Sequence, residues 1–411
     1  MIRMLFFPRE TFPTERVRLT TLFGRELLGR GHAIDLVMQA RDSTVAVGRH
    51  DWYGRSALVG PTDSGSGFFS RVRKNVFGIW HDLRWLWRAR TDSYDCILVS
   101  DKYLLATVAV FVARARGLKF MFWMTFPYHK AHVTLGREGM TQHPTLALIR
   151  GHIAAFLLHR WIIPRSDHVF VQSQAMARDF SAHGADPGKC TPIVTGIDLA
   201  GVSPILPGRQ AGHLNGLTVA YLGTLVRERH LEILVDMLAE LRRSGITARL
   251  LFIGDGAVPE DRLVIEHRAQ ALGLTAQVEI TGFLPRREAL DLIRTADVCV
   301  SPFYPSPILD VASPTKLIEY LALGLPVIAN SHPDQSLVLR ESRAGVCVPW
   351  GARHFARAVR WLARRDSAEL VAMGVRGQAW VQQHRSYERI ADDFERACRR
   401  VLATALTNTT G

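Results

Sequence analysis

Cysteine is scarce in this chain of 411 residues, and its five copies are widely separated. No two of them form a C-x-x-C pair, so neither a disulfide framework nor a zinc site is indicated. An odd, dispersed set of cysteines predicts reduced thiols and a cytosolic protein. The five are Cys96, Cys190, Cys299, Cys347 and Cys398.

Long apolar runs are also lacking. No stretch of roughly 18 uninterrupted apolar residues occurs, so the sequence predicts no transmembrane helix. The N-terminal stretch MIRMLFFPRETFP is interrupted by charge, and its apolar part is too short for a secretory signal peptide. We therefore expect neither a membrane span nor a secretory leader.

Acidic residues are few relative to basic ones. Aspartate and glutamate number 38 against 51 lysines and arginines, which gives a formal net charge of +13. Such an excess predicts an anionic partner, either nucleotide phosphates, lipid headgroups or nucleic acid. At 47% hydrophobic residues the chain has enough apolar side chains for sizeable buried cores, which argues against global disorder.

Strand-like and helix-like segments alternate along the chain, which is the pattern of a doubly wound α/β sheet. A first block begins with the predicted strand Ile2–Phe7 and ends with the predicted strand Ile193–Asp198. A second block starts with the predicted strand Leu217–Tyr221, and Ser386–Leu406 is predicted to be a long final helix. Two successive α/β blocks predict two similar domains.

The predicted domain boundaries follow from a change in composition. Residues 201–216 are rich in proline, glycine and polar residues, which is typical of a linker. The sequence thus predicts a Rossmann-like N-terminal domain over 1–200, a Rossmann-like C-terminal domain over 217–380 and a terminal helical segment over 381–411. Open parallel sheets bind ligands at the carboxyl ends of their strands, so a cleft between the domains is the expected site.

The segment SPTKLIEYLALGLPVIAN, residues 313–330, is the most informative part of the chain. Ser313 is predicted to cap a helix whose first position is Pro314. The exposed N–H groups of the first helical turn, with Lys316 beside them, predict an anion site. Glu319 lies one turn further, where a carboxylate accepts hydrogen bonds from sugar hydroxyls. A phosphate cradle beside a hydroxyl acceptor suits a nucleotide-sugar; the alternative is an ordinary capped helix whose charges face solvent.

The same segment resembles the donor-site motif of GT-B glycosyltransferases, in particular the P-x-K-x-x-E-Y-x-A-x-G-x-P-V-I form of the retaining family-four group. Other stretches look like landmarks of that family in the expected order. They are SDHVFVQSQAMARDF (166–180), VTGIDL (194–199), YLGTL (221–225) and VEITGFLP (278–285). The resemblance covers nearly the full chain. It implies two Rossmann-like domains facing across a cleft, with the final helix crossing back onto the first domain.

A cationic pair follows the predicted strand that ends at Gly223. The family usually places an arginine directly after this glycine and a lysine about five residues later. Here Thr224 occupies the first position, and Arg229 matches the lysine better than Arg227 does. A guanidinium at this place would stabilise the negative charge that develops on a leaving diphosphate. The alternative for Arg227 is a solvated, charge-rich loop.

Two glycine turns are further candidates for donor binding. Gly254 begins a lone G-x-G, which is weak as a dinucleotide motif because Pro259 stands where the third glycine belongs. The turn at Gly282 and Phe283 looks like the loop whose backbone contacts the base in relatives. The alternative in both cases is simple turn chemistry.

An acidic position of the family motif is missing. The family commonly shows two glutamates eight residues apart, but the residue eight before Glu319 is Val311. Asp310, one residue away, is the catalytic candidate for that position. The alternative is a subgroup with the SPTK form, in which the backbone amides of Asp310–Thr315 hold the donor sugar. Ser313, Pro314 and Thr315 are accordingly assigned to donor binding.

The stretch FWMTFPYHKAH follows a predicted strand in the first block and is expected to be a loop. Relatives often carry a histidine here that contacts the donor or acceptor sugar, and His129 is the first candidate, with His132 second. Retaining transfer in the family is thought to proceed on one face of the sugar, with the donor phosphate helping to deprotonate the acceptor. No strong protein base is then required.

The stretch Phe68–Arg90 combines tryptophans with six basic residues and one aspartate. A basic amphipathic segment with tryptophans is suited to an anionic bilayer surface. Leu146–Ile163 is expected to extend that surface. The alternative is a helix whose tryptophans pack into the core of the first domain.

The sequence thus predicts a metal-independent, hexosyltransferase-like retaining glycosyltransferase at the cytoplasmic face of a membrane. Its donor is expected to be a nucleotide-diphosphate sugar and its acceptor a glycan or a polyprenyl or other lipid-linked glycan, in surface polysaccharide or glycolipid synthesis. No cofactor and no nucleic acid partner are predicted. The alternatives are a nucleotide-sugar epimerase of GT-B fold, which needs strong acid and base carboxylates, and a basic nucleic-acid-binding protein, for which no recognised motif is present.

Overall fold

A computed structural model describes residues 1–62, 68–139, 141–199, 202 and 215–407. Side chains are described for these residues except 68–72, 74, 75, 215 and 404–407. The predicted linker 201–216 lies almost wholly outside the described residues. The chain divides into two compact units. Unit 1 is Met1–Thr195 with Tyr387–Gly411, and unit 2 is Gly196–Ser386.

Unit 1 is built on one largely parallel sheet. Its described strands are β1 Arg3–Phe7, β2 Thr11–Phe12, β3 Ala33–Ala40, β4 Gly48–Trp52, β5 Arg55–Gly60, β6 Cys96–Ser100, β7 Lys119–Met124, β8 His168–Val171 and β9 Cys190–Pro192. They run in the order β4-β5-β3-β1-β6-β7-β8-β9, with β2 beside β3 and only the β4–β5 pair antiparallel among them. The central strands are almost wholly buried, as expected for a parallel sheet covered on both faces.

Helices cover the faces of this sheet. The α-helices of unit 1 are α1 Phe68–Arg88, α2 Tyr103–Ala115, α3 Tyr128–Arg137, α4 Pro144–Phe156, α5 Ile163–Arg165 and α6 Gln174–Ala182. Arg18–Leu27 and Leu157–Ile162 are π-helical, and Pro187–Lys189 is a 3₁₀ turn. The Ser173 hydroxyl caps α6 by accepting a hydrogen bond from the Met176 amide at 3.0 Å.

Unit 2 contains a second, wholly parallel sheet. Its strands are β10 Asn215–Leu222, β11 Thr247–Ile253, β12 Val278–Ile280, β13 Val298–Ser301, β14 Val327–Asn330 and β15 Gly345–Val348. They run in the order β12-β11-β10-β13-β14-β15. The α-helices of this unit are α7 Glu232–Arg243, α8 Pro259–Ala271, α9 Arg286–Ile293, α10 Thr315–Ala322, α11 Pro333–Ser342, α12 Ala352–Ala363 and α13 Ser367–Arg385, with 3₁₀ turns at Arg227–Arg229 and Thr275–Gln277.

The last helix, α14 Tyr387–Thr407, belongs to unit 1. Its Phe394 ring stacks on Phe170 of β8, with 4.6 Å between the ring centroids, and also on Trp123 of β7 at 5.6 Å. These side chains are part of the same buried apolar cluster. The helix therefore completes the core of the unit in which the chain begins.

Several element boundaries differ from the sequence prediction. The strand expected at Ile193–Asp198 is found earlier, as β9, and Ile197 makes only a single bridge with Ser386. The β4–β5 hairpin was not expected, because its outer strand GRHDW lacks apolar alternation. Residues 381–385, assigned to the terminal segment, belong to α13.

One continuous helical run, Pro144–Arg165, is long and apolar enough to cross a membrane by length and composition alone. The prediction of no such helix rested on uninterrupted apolar runs, and Arg150 and Arg160 interrupt this one. Core helices of soluble proteins pass the same test, although only 28% of this stretch is buried.

Candidate functional site

The turns that follow β10, β11 and β12 lie against one another at the carboxyl edge of the unit 2 sheet. The Gly223 amide donates to the Ile253 carbonyl at 2.9 Å, and Gly254 forms a β-bridge with Gly282. The Gly254 amide also approaches the Thr281 hydroxyl at 3.3 Å. Two predicted turns and a predicted strand end therefore form one cluster, which we call the glycine-turn cluster (Gly223, Gly254 and Gly282).

Close backbone approach explains why glycine occupies two of these positions. Gly254 has φ +140°, and a Cβ there would lie 2.3 Å from the Gly223 carbonyl oxygen. Gly223 has φ +139°, and its Cβ would lie 2.4 Å from Cε of Lys316. Only glycine fits both the conformation and the space. The cluster thereby brings the end of β10 directly against the first turn of α10.

Helix α10 begins differently from the prediction. Pro314 is the N-cap, with no side-chain capping hydrogen bond, and the helix starts at the exposed Thr315. Ser313 is not the cap, because its hydroxyl lies 3.1 Å from the Asp334 carboxylate and 3.0 Å from the Arg385 guanidinium. Asp334 and Arg385 form a buried ion pair at 2.7 Å. Ser313 is thus held by two buried charged side chains, while the N-cap Pro314 provides no side-chain hydrogen bond to the first turn.

Lys316, on that first turn, is buried, with 9% of the residue exposed. Its Nζ lies 5.3 Å from the centroid of the Tyr221 ring. Within the described ranges it forms no ion pair. Burial lowers the pKa of Lys316, and the positive charge of Arg229 lowers it further, whereas Tyr221 and the Glu319 carboxylate act to raise it. A buried ammonium without a carboxylate is costly, and a bound anion would offset that cost.

Arg229 brings a second cation to the same tyrosine. Its guanidinium donates to the Tyr221 hydroxyl at 2.9 Å and to the Thr224 carbonyl at 2.8 Å. Arg227, by contrast, is exposed, and its backbone amide donates to Asp261 at 3.2 Å. The structure therefore places Arg229, rather than Arg227, beside Lys316.

Glu319 is already paired in this structure. Its carboxylate accepts a hydrogen bond from the Arg286 guanidinium at 3.0 Å, and its side chain is 18% exposed. We expected an open carboxylate, so the pairing is a correction. Glu319 can accept sugar hydroxyls only if Arg286, whose side chain is 54% exposed, moves aside or binds the ligand as well.

The loop before α10 only partly matches its predicted role. The Asp310 amide donates to the Ser306 carbonyl, and the Ala312 amide donates to the Leu309 carbonyl, both at 2.9 Å. These two amides are therefore used inside a turn and are not open to a donor sugar. The partly exposed Asp310 carboxylate forms no hydrogen bond or ion pair within the described part of the chain. Phe283, next to Gly282, is 67% exposed, so its ring is accessible.

His129 belongs to unit 1, where it lies on α3 and not on the predicted loop. The residue is 3% exposed, and neither ring nitrogen has a hydrogen-bond partner among the described residues. Its ring centroid lies 5.5 Å from that of His159 and 6.4 Å from that of Tyr103. Burial, with the positive charge of neighbours, lowers the pKa of His129 to about 3, so the ring is neutral at neutral pH. His132 is partly exposed.

A polar group at the carboxyl edge of the unit 1 sheet was missed by sequence reasoning. Asp101 follows β6, is 6% exposed and adopts φ +56°, an uncommon conformation for a residue other than glycine. Its carboxylate accepts hydrogen bonds from the amide (3.0 Å) and the hydroxyl of Thr125, which follows β7. Burial raises the pKa of Asp101. An aspartate directly after a buried strand was the signal available in the sequence.

Basic side chains of unit 1 lie on aromatic rings that are distant from them in the sequence. The Arg18 guanidinium lies 4.9 Å from the Trp123 ring and pairs with Glu10 at 2.6 Å. Arg9, in the loop after β1, lies 3.6 Å from the Tyr128 ring. The charges of both Arg18 and Glu10 act on the Asp101 carboxyl. Strained, buried carboxyls at such sheet edges are frequent at binding sites.

Two family descriptions match consecutive parts of the chain. "Glycosyltransferase Family 4" matches residues 17–200, and "Glycosyl transferases group 1" matches residues 216–365. The two matched regions follow unit 1 and unit 2 closely. The glycine-turn cluster, Lys316 and Arg229 all fall within the second.

Characterised or named relatives are similar over part of the chain. The putative colanic acid biosynthesis glycosyltransferase WcaL of Escherichia coli K12 is 24% identical over 251 residues, which is 60% of this chain and 58% of WcaL. The GDP-mannose-dependent alpha-(1-6)-phosphatidylinositol dimannoside mannosyltransferase of Mycobacterium tuberculosis is 29% identical over 151 residues, 36% of each chain. The chain thus matches less than two thirds of the length of these relatives.

Solved structures are similar over nearly the whole chain. Sucrose-phosphate synthase of Thermosynechococcus elongatus superposes with a TM-score of 0.73 at 18% identity, covering 98% of this chain and all of that protein. HepE of Anabaena, solved in complex with UDP, gives a TM-score of 0.68 at 15% identity, covering 97% of this chain and all of HepE. At these identities the likeness establishes the fold, and the predicted fold class, GT-B with two Rossmann-like domains, is confirmed.

Proposed function

The chain is a group 1 glycosyltransferase of the GT-B fold, and we propose that it moves a sugar from a nucleotide-diphosphate sugar to a glycan or lipid-linked acceptor with retention of anomeric configuration. Its relatives support this range of substrates. WcaL is named for colanic acid synthesis, the mycobacterial relative for GDP-mannose and a phosphatidylinositol mannoside, and HepE was solved with UDP. A role in surface polysaccharide or glycolipid synthesis fits all three.

The observation that carries the donor assignment is the buried ammonium of Lys316, which forms no ion pair among the described residues, beside the guanidinium of Arg229. Both cations contact Tyr221, and the first turn of α10 has no side-chain cap. A diphosphate supplies negative charge for both cations and hydrogen-bond acceptors for the amides of that turn. A neutral sugar or a single carboxylate would leave one cation unsatisfied.

The same two cations would act on the reaction itself. As the bond between the anomeric carbon and the diphosphate oxygen breaks, negative charge grows on the leaving diphosphate, and fixed cations stabilise it. The acceptor oxygen then bonds to the anomeric carbon on the face that the diphosphate leaves, and its proton passes to a diphosphate oxygen. Positive charge from Lys316 and Arg229 is the basis of the proposed metal independence. A hexose is the proposed sugar, on the pattern of the relatives.

The Asp101 group of unit 1 supports an acceptor site. Asp101 and Thr125 present a carboxylate and a hydroxyl after two adjacent strands, where open parallel sheets bind ligands. Carboxylates and hydroxyls recognise sugar hydroxyls. His129 stays a prediction as a contact for the transferred sugar, and its neutral ring would serve as a hydrogen-bond partner.

Two alternatives from other classes remain testable. A GT-B epimerase would need acid and base carboxylates at the donor site, whereas Glu319 is paired with Arg286. A nucleic-acid-binding protein would use the net charge of +13, but no nucleic-acid motif is present in the sequence. We propose a cytoplasmic location, in keeping with dispersed cysteines.

The proposal is tested by screening nucleotide-sugars with different bases and sugars for a rise in thermal unfolding temperature, since ligands that bind the native state stabilise it. We expect one base to give a clear rise, with the free nucleoside diphosphate giving part of it. The donor so identified is then incubated with lipid extracts and glycans, and the anomeric configuration of the product is determined by NMR. No stabilisation by any nucleotide-sugar would contradict the donor assignment, and an inverted product would contradict retention.

A further inference from the structure

Helix α1 presents an apolar and basic face to solvent. Phe77, Trp80, Arg84 and Trp87 recur at intervals of three or four residues, and Arg88 lies four residues after Arg84, so the five share one side of the helix. All five are exposed, and Trp80 is 59% exposed. The Arg84 guanidinium lies 5.5 Å from the Trp80 ring. The tryptophans of this face are therefore not core residues, which was the alternative for the sequence stretch 68–90.

Helix α4 has one face fixed and one face open. Its fixed face packs on α3 so closely that a Cβ at Gly151 would lie 2.6 Å from Cγ2 of Val133. Its open face carries Ile149, Ile153 and Phe156, spaced four and three residues apart, and Phe156 is 61% exposed. Large apolar side chains in such a row are unusual on the surface of a soluble protein.

Helix α2 joins these two helices. It packs against α1 on one side and against the π-helical turn Leu157–Ile162 that continues α4 on the other. Its exposed residues Leu104 and Phe111 lie two turns apart, and the Phe111 ring is 5.4 Å from that of Trp161. Helix α2 therefore contacts both α1 and the turn that continues α4, and we call the open faces of α1, α2 and α4 together the three-helix surface.

The charges of these helices have one sign. Residues 68–90, 103–116 and 144–165 contain six, two and three basic residues, and their one acid is Asp82. Asp82 is buried and paired with Lys102 at 2.8 Å. Every exposed charged side chain described on these helices is therefore positive. An anionic partner with an apolar interior complements both features of the surface.

A bilayer containing anionic lipids fits this description better than other occupants. A second copy of the chain would bring two basic faces together in a symmetric dimer, where like charges repel. A nucleic acid would form ion pairs with the arginines but would not bury the apolar side chains on the open face of α4. An acidic bilayer surface takes apolar side chains into its acyl boundary and basic ones at its headgroups.

We propose that the three-helix surface binds anionic membranes with α4 lying in the plane of the interface. The helical run Pro144–Arg165 then does not cross the bilayer, because one face of α4 is packed on α3 within unit 1. The proposal is independent of the donor site, since vesicle binding requires no nucleotide-sugar. It would bring a lipid-linked acceptor and the enzyme to the same surface.

The experiment is co-sedimentation of the full chain with vesicles of phosphatidylcholine, with or without phosphatidylglycerol. We expect binding to the mixed vesicles only, weakened at least about tenfold in about 0.5 M salt. Replacing two arginines in Arg84→Ser/Arg88→Ser should weaken binding about 25-fold, at about fivefold for each charge near the surface. Replacing apolar residues in Trp80→Ser/Phe156→Ser should weaken it at least about tenfold.

The matched control removes the same charge elsewhere. Arg357→Ser/Arg364→Ser changes one arginine of α12 in unit 2 and the arginine that caps its C-terminus. It should leave vesicle binding within about twofold, because both residues lie outside the proposed surface. All substituted side chains are exposed or on helix exteriors, so thermal unfolding and its shift by nucleotide-sugar should stay as in the wild type. A separate failure of the nucleotide-sugar shift would therefore count against the transferase proposal alone.

Four results would overturn the membrane proposal. They are equal binding to neutral and anionic vesicles, an equal loss in the α12 control, retention on duplex DNA in place of vesicles, and no effect of the Trp80 and Phe156 changes. Orientation has its own test, extraction of bound protein by alkaline carbonate. Release supports a helix that lies in the interface, whereas resistance to extraction indicates a spanning helix and contradicts it.

Discussion

The ammonium of Lys316 lies 5.3 Å from the ring centroid of Tyr221, whose hydroxyl accepts a hydrogen bond from Arg229 at 2.9 Å. The tyrosine thus stands between two cations in a buried place. Lys316 has no carboxylate partner within the described residues, and burial lowers its pKa. We interpret this arrangement as a site that is incomplete without an anion. The predictions below test its parts and those of unit 1.

The first prediction concerns stability without ligand. Lys316→Met removes a buried charge that has no ion pair among the described residues and keeps a side chain of similar length, so the free energy of unfolding should stay the same or rise by about 1 kcal/mol. The matched control is Lys102→Met, which leaves the buried Asp82 without its cation and should cost about 3 kcal/mol. Chemical denaturation measures both. A similar loss in both variants would show that Lys316 serves the fold and not a ligand.

The second prediction concerns the close packing of the glycine-turn cluster. A methyl group in Gly254→Ala would meet the Gly223 carbonyl, which is backbone and cannot swing away, and φ +140° disfavours alanine. We expect a loss of about 2–4 kcal/mol and loss of nucleotide-sugar binding.

Gly273→Ala is the control for Gly254→Ala. Gly273 has φ +61°, but a Cβ added there would meet only the flexible end of the Arg242 side chain, at 4.0 Å. The variant Gly273→Ala should lower the free energy of unfolding by about 1 kcal/mol and leave nucleotide-sugar binding intact. Equal losses in the two variants, measured by denaturation and by thermal shift, would refute the role of close approach.

How far the sequence leads can be judged from these residues. Lys316, Glu319 and the glycine turns were predicted from a local motif, and the structure brings Lys316, Gly223 and Gly254 into one cluster. The pairing of Glu319 with Arg286 was not predictable, because the two residues are 33 positions apart and meet only in the folded unit. The same reason applies to Ser313, whose distant partners Asp334 and Arg385 replace its expected capping role.

Unit 1 shows a second limit. Asp101 and Thr125 each follow a buried strand, but their contact depends on β6 and β7 being neighbours, which the sequence alone does not specify. His129 was assigned to a loop because FWMTFPYHKAH follows a predicted strand, whereas Pro127 in fact caps the helix α3 that begins at Tyr128. A proline just before a helix is compatible with helix entry, so the local signal was ambiguous.

The third prediction concerns Asp101. The Asp101→Asn side chain has the shape of aspartate, and asparagine tolerates the left-handed backbone conformation of this position. The substitution removes the carboxyl group, whose pKa is raised by burial. A raised pKa means that the folded wild type binds the proton more tightly, so its stability falls as pH rises from the unfolded pKa through the folded one. The stability of the variant should not decrease in this way as pH rises, so at neutral pH the variant should be more stable than the wild type by about 1 kcal/mol.

Activity separates the roles of Asp101. We expect Asp101→Asn to raise the acceptor KM at least about tenfold and to leave the donor KM within about twofold, because the carboxylate belongs to the proposed acceptor site. Steady-state kinetics with each substrate varied in turn gives both values. A variant with unchanged acceptor KM would assign Asp101 to the fold alone.

The fourth prediction concerns acid sensitivity. Burial lowers the pKa of His129 to about 3 and that of His159 to about 4, so both are neutral in the folded chain and charge on unfolding. Stability is therefore complete above the unfolded pKa of about 6.5 and is lost as pH falls below it. His129→Phe should be more stable than the wild type at pH 5 by about 2 kcal/mol, with a shallower pH dependence.

The control for His129→Phe is His267→Phe, an exposed histidine of α8. It should keep the wild-type pH dependence, because its side chain is exposed in the folded chain. The free energy of unfolding of both variants and the wild type is measured between about pH 7 and 5. A pH dependence in His129→Phe as steep as in the wild type would show that His129 is not the source of acid sensitivity.

The most direct test of the central claim is calorimetric titration of the wild type and Lys316→Met with the nucleoside diphosphate of the identified donor. We predict that the variant binds the nucleoside diphosphate at least about 30-fold more weakly than the wild type. This factor is equivalent to about 2 kcal/mol, the free energy lost with one charge-assisted contact to the diphosphate. The wild-type and variant proteins should otherwise unfold alike. Equal affinity in the two proteins would contradict the assignment of this buried lysine to the donor diphosphate.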